Sequence, residues 1–167
     1  MTRKARALGM SATTFRNASG LPHSKQRTTA RDMARLAIAM RRDFPQYFGF
    51  FSTKSFRWRG KRFGNHNKLL SNYTGTDGIK TGYIDASGFN LVATVERNGV
   101  RLIGVVFGGR TGKTRDAHMV KILDKSFKRV KPGDIRTQLA AASSNAVRAL
   151  PKTLPRSLPV PPPAPDT

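Results

Sequence analysis

Asp77-Gly78-Ile79-Lys80-Thr81-Gly82-Tyr83 leaves a turn, enters a strand and leads through Ser87-Gly88-Phe89 into two runs rich in β-forming residues, Asn90 to Val95 and Val100 to Phe107. These runs are joined across Glu96-Arg97-Asn98-Gly99, and Asn-Gly is the dipeptide that most readily supplies the two positive φ values of a tight hairpin turn. The second run, Val100-Arg101-Leu102-Ile103-Gly104-Val105-Val106-Phe107, is apolar enough to predict a central strand. After Gly108-Gly109, the spacing of Met119, Ile122, Leu123, Phe127 and Val130 predicts a last helix packed on that sheet.

Upstream, Thr29-Ala30-Arg31-Asp32 has the form of a capping box with Asp in the reach-back position. Met33, Leu36, Ala37, Met40 and Phe44 follow at helical spacing until Phe44-Pro45 stops the helix. Met1, Ala5 and Leu8 ahead of Gly9 read as the final turns of a helix. Phe50 to Phe63 alternates weakly and turns at Arg59-Gly60-Lys61, which predicts a basic hairpin. Composition shifts near Lys131-Pro132-Gly133. Residues 1–130 read as a domain, and 131–167, Ala/Ser-rich and then Pro-rich, as a disordered linker or tail in which Leu139 to Leu150 forms a transient helix.

Composition bounds the function. The chain has 31 Lys+Arg against 9 Asp+Glu, a formal charge of +22, which steers it towards polyanions: nucleic acid, anionic lipid or acidic wall polymers. The cations are spread along the chain, so charge alone does not choose among them. The absence of cysteine removes disulfides, thiolate catalysis and Cys-type zinc sites. His23, His66 and His118 are dispersed and read as structural or surface groups, so neither a metal nor another cofactor is expected. The basic start MTRKARALGM lacks the apolar stretch of about 7–15 residues of a signal peptide, and no run of about 18 apolar residues is present to span a membrane.

Lys80-Thr81-Gly82 suits an acyl-transfer pocket. An ammonium at Lys80 stabilises charge, the Thr81 hydroxyl can bond a substrate carboxylate, and Gly82 leaves no side chain between strand and substrate. An extended peptide could then pair with the strand as an added sheet member. The plain alternative is an edge strand blunted by a lysine beside a glycine bulge. Gly108-Gly109-Arg110-Thr111-Gly112-Lys113-Thr114 imitates a phosphate-binding loop with the wrong glycine spacing. Arg57-Trp58-Arg59-Gly60-Lys61-Arg62-Phe63 interleaves cations with aromatics, as a nucleic-acid stacking platform does and as an exposed hairpin of any basic protein does.

Four segments in order and spacing carry a resemblance: Phe15 to Pro22, Thr28 to Ala34, Asn65-His66-Asn67-Lys68-Leu69-Leu70, and Asp77 to Tyr83. Together they resemble the second half of bacterial D-alanyl-D-alanine carboxypeptidases, penicillin-binding serine peptidases that trim the terminal D-alanine of peptidoglycan stem peptides. The resemblance covers roughly residues 1–130. It implies an α+β fold, an antiparallel sheet flanked by helices of the β-lactamase/transpeptidase type, incomplete at its N-terminus. It also implies a periplasmic or cell-envelope setting, a stem peptide ending in D-Ala-D-Ala as substrate, β-lactams as ligands, and no nucleic acid.

Within the resemblance, Lys80, Thr81 and Gly82 map onto the Lys-Thr-Gly of the active-site strand and are expected to bind substrate. Arg115 is a weaker candidate for its carboxylate, a solvated arginine at a helix start being the plainer reading. The other two signature elements of such enzymes are a Ser-x-x-Lys nucleophile and a Ser-x-Asn. No serine here has a lysine three residues later, and Ser143-Ser144-Asn145 falls after Lys-Thr-Gly in the low-complexity tail. The expectation is therefore a truncated form with no catalytic nucleophile or base, inactive alone. The competing expectation is a non-catalytic basic protein that binds nucleic acid or acidic wall polymers.

Overall fold

The computed structural model describes residues 1–130. The linker or tail assigned to 131–167, with its Leu139 to Leu150 helix and Ser143-Ser144-Asn145, lies outside the described residues.

Three antiparallel strands form the main sheet: β3 (Thr76–Ile84), β4 (Gly88–Arg97) and β5 (Val100–Gly109), in the order β3-β4-β5. Asn98 and Gly99 take φ values of 48° and 74°, the pair of positive angles a two-residue turn between right-twisted strands requires. Side chains alternate across β5. Leu102 and Val106 join Leu91, Ala93 and Val95 on one face, against Met119 and Leu123 of α5 (Gly112–Phe127) and against Leu69 and Tyr73 at α4 (Leu69–Asn72). Ile103 and Val105 turn the other way, with Val92 and Ile79, onto Ala37 of α2 (Ala30–Asp43) and Phe48 of α3 (Pro45–Phe48). The sheet is thus the middle layer of three.

This arrangement corrects the reading of β5 as the central strand. Among the described residues β4 is central, and β5 pairs with β4 alone. An unbroken apolar run records helices on both faces, which an edge strand can also have.

α1 (Thr2–Ala7) ends at Gly9, whose φ of 75° suits the left-handed turn after a helix, and Ala5 is buried. α2 starts at Thr29, whose hydroxyl accepts from the Asp32 N–H at 3.2 Å. Only that half of the capping box forms. The Asp32 carboxylate turns back instead to the Ala12 N–H (2.9 Å), the Thr13 hydroxyl (2.7 Å) and Arg35 (3.0 Å), tying the segment after α1 to α2. Burial pushes the Asp32 carboxyl up, but these donors outweigh it and hold it below the usual carboxylate range.

α2 stops at Asp43, and Pro45 opens α3, followed by a 3-10 turn at Gly49–Ser52. β1 (Ser55–Trp58) and β2 (Lys61–Gly64) make a separate two-stranded hairpin, turned by Arg59 and Gly60 at φ 45° and 74°. The expected hairpin is present, but Phe50 and Phe51 belong to the 3-10 turn ahead of it.

Candidate active site

β3 is the edge of the sheet opposite β5, so its outer side has no strand partner among the described residues. Its first residues are held firmly. Asp77 accepts from the Thr94 hydroxyl, from Arg101 and, at 3.1 Å, from Arg41. The buried Asn67 donates to the Gly78 carbonyl at 3.2 Å and is itself set by Asn65, whose Oδ1 accepts from the Asn67 N–H at 2.8 Å. The local hydrogen bonding expected of Asn65-His66-Asn67 is therefore present, and it fastens α4 to β3 two residues before Lys80.

Beyond this anchor the strand opens to solvent. Lys80 is exposed and its Nζ donates to the Thr81 carbonyl at 2.9 Å. A Cβ built on Gly82 would meet nothing within 4 Å. Lys80, Thr81, Gly82 and Tyr83 form one wall of a cleft of ≈ 710 Å³. The opposite wall is the first turn of α5, with Gly112, Lys113, Arg115 and Asp116. Phe89, packed against Tyr83 with ring centroids 4.4 Å apart, and His66, Lys68 and Asn72 complete it.

The solvated reading of Arg115 does not hold. Arg115 is 4% exposed. Its Nε and Nη2 donate to Asp116 Oδ1 at 3.0 and 2.7 Å, and Nη1 points to the Asn90 carbonyl at 3.5 Å. α5 begins at Thr111, whose hydroxyl accepts from the Thr114 N–H at 3.0 Å while Thr114 Oγ1 accepts from the Thr111 N–H at 3.0 Å. The glycine-rich segment that imitates a phosphate loop is thus a helix cap. It still directs the positive end of the helix dipole at the cleft.

Electrostatically the cleft is one-sided: Lys68, Lys80, Lys113 and Arg115 face a single acid, Asp116, which Arg115 already occupies. Such a site suits an anionic ligand end. Neither serine nor cysteine is among its lining residues, and among the described residues no group of three His, Cys, Asp or Glu could hold a metal ion. Lys80, Thr81, Gly82 and Arg115 are brought together as one site. His66, read as a structural or surface group, lines it. Lys68 and Lys113 stood in the Asn65–Leu70 and Gly108–Thr114 segments without marking this site, because only the folding of α4 and α5 onto β3 gives them a shared space.

Comparison with known proteins identifies the family of the chain. The profile of the D-alanyl-D-alanine carboxypeptidase family matches residues 1–111. The chain belongs to that family. Within it, the chain is 42% identical over 123 residues to the D-alanyl-D-alanine carboxypeptidase DacA of Escherichia coli K12, covering 73% of this chain and 30% of that protein. It is 34% identical over 131 residues to DacF of Bacillus subtilis, covering 76% of this chain and 34% of the relative. Among solved structures, penicillin binding protein 5 from Haemophilus influenzae superposes with a TM-score of 0.73 at 33% identity, over 76% of this chain and 38% of that one. Penicillin-binding protein D2 from Listeria monocytogenes, in its cefotaxime-bound form, gives 0.69 at 31% identity, over 75% and 53%. The chain therefore spans about a third of the curated family members it matches. The fold is the α+β, penicillin-binding type expected of the family.

Proposed function

We propose that the cleft recognises the carboxy-terminal end of a peptidoglycan stem peptide finishing in D-Ala-D-Ala. The observation that carries this reading is the Lys-Thr-Gly edge strand facing Arg115 and the amino-terminal turn of α5 across one cleft. The peptide lies alongside β3, its backbone adding to the sheet edge beside Gly82. Its terminal carboxylate meets Arg115, the Thr81 hydroxyl and the dipole of α5. Lys80 supplies positive charge beside the scissile amide. Lys80, Thr81, Gly82 and Arg115 are therefore substrate-binding groups.

In the family activity a serine attacks the D-Ala-D-Ala amide, D-alanine departs, and water hydrolyses the acyl-enzyme. These 167 residues contain no Ser-x-x-Lys. On this reading they bind the peptide, and β-lactams non-covalently, without forming the acyl-enzyme. Residues 1–130 form the binding body, and a cell-envelope setting follows from the substrate.

Incubation with a fluorescent penicillin followed by denaturing electrophoresis tests the catalytic half of the proposal. No labelled band is expected; a covalently labelled band would show that an attacking group is present after all.

A further inference from the structure

The β1–β2 hairpin is amphipathic and touches little of the sheet. Register places Phe56 opposite Phe63 and Trp58 opposite Lys61 on one face, with Arg57 opposite Arg62 on the other. Both faces are open: Phe56 is 59%, Trp58 63% and Phe63 37% exposed. Like charges directly across a strand pair repel, yet among the described residues neither Arg57 nor Arg62 has an acidic partner; Arg62 reaches only the Ser55 hydroxyl at 3.1 Å. No Asp or Glu occurs in sequence between Asp43 and Asp77, a stretch that carries Lys54, Arg57, Arg59, Lys61, Arg62 and Lys68. An uncompensated cationic hairpin with a bare aromatic face calls for an anionic surface with apolar depth.

We propose that this hairpin docks the protein on an anionic phospholipid surface. Phe56, Trp58 and Phe63 enter the headgroup boundary, Lys61 on the same face and Arg59 at the turn contact the phosphates, and Arg57 and Arg62 on the opposite face add longer-range attraction. The ring arrangement favours lipid over stacked bases. Phe56 and Phe63 already stack on each other at 5.2 Å, Lys61 lies over Phe63 at 5.6 Å and Arg59 over Trp58 at 6.0 Å. A base-stacking platform needs open ring faces, whereas a bilayer boundary needs only apolar area flanked by cations. The site is separate from the cleft and does not depend on the peptide-binding reading.

Trp58 is the only tryptophan of the chain, so its fluorescence reports the hairpin directly even though the net charge of +22 attracts anionic vesicles everywhere. The full chain is titrated with vesicles of phosphatidylglycerol and phosphatidylcholine, with phosphatidylcholine vesicles alone, and with a single-stranded oligonucleotide. Trp58 emission is expected to shift to the blue on the anionic vesicles only. The double substitution Arg59→Ser with Lys61→Ser is expected to weaken the titration by roughly thirtyfold, as loss of two headgroup-contacting cations at about 1 kcal/mol each implies. Both sites are exposed, and circular dichroism checks that the fold persists. Co-sedimentation with anionic vesicles without a Trp58 shift would overturn the proposal, because the contact would then lie elsewhere. A shift with the oligonucleotide and none with vesicles would overturn it in favour of nucleic acid.

Discussion

Gly109 and Arg115 are in such close contact that a Cβ at Gly109 would stand 2.7 Å from the Arg115 Cβ and 3.2 Å from its Cα. The end of β5 is thereby pressed against the first turn of α5, and the absence of a side chain at Gly109 is what lets Arg115 sit at the wall of the cleft. Gly109→Ala would force α5 outward, because the nearest atoms are a Cβ and backbone rather than a flexible tip. We expect it to cost about 1–3 kcal/mol of stability, as overpacking does, and to weaken binding of a peptide carboxylate more than Lys113→Ala does. Thermal unfolding and peptide titration of both variants check this.

A second close approach holds the same helix lower down. A Cβ on Gly104 would collide with Met119 Sδ, and Met119 is fully buried with Leu123 beside it. Gly104→Ala alone is expected to cost about 1–3 kcal/mol and Met119→Ala alone about 2–5 kcal/mol. The double variant should lose less than the sum, since the added methyl enters the space the methionine leaves; strict additivity in denaturant unfolding would contradict the contact.

Tyr73 donates to Asp124 at 2.5 Å under the Arg97 guanidinium, which lies 4.0 Å above its ring. Burial first, and the bond to Asp124 next, push its phenol up to about 12 from 10.0. A raised folded pKa means that the folded state holds the proton longer than the unfolded chain does. The associated stability is full below pH 10 and is lost as pH rises from 10 towards 12, about 3 kcal/mol in all. Tyr73→Phe removes this component, so the stability difference between the two proteins should shrink across that window. A difference independent of pH would contradict the assignment.

Some of this was legible in the residues and some was not. Asn98-Gly99 announced the β4–β5 turn because two positive φ values are a local requirement, and α2 was announced by its apolar spacing. Asp32 misled, because its partners Ala12 and Thr13 are distant in sequence and outcompete the local cap. Arg115 misled for the same reason: its burial is made by Gly109, Asn90 and Asp116 together, none of which marks it in isolation. Lys80-Thr81-Gly82 was legible as a site only through its neighbouring segments. That the cleft also gathers Lys68 and Lys113 depends on how α4 and α5 meet β3, which no periodicity records.

The central claim is that β3 and Arg115 grip a peptide ending in D-Ala-D-Ala, and backbone amide NMR of the full chain titrated with such a peptide tests it most directly. The expected result is saturable shifts at Thr81, Gly82 and the first turn of α5, strongly reduced in Arg115→Ala and when the peptide ends in an amide. No shifts at these positions, or equal shifts with the amidated peptide, would contradict it.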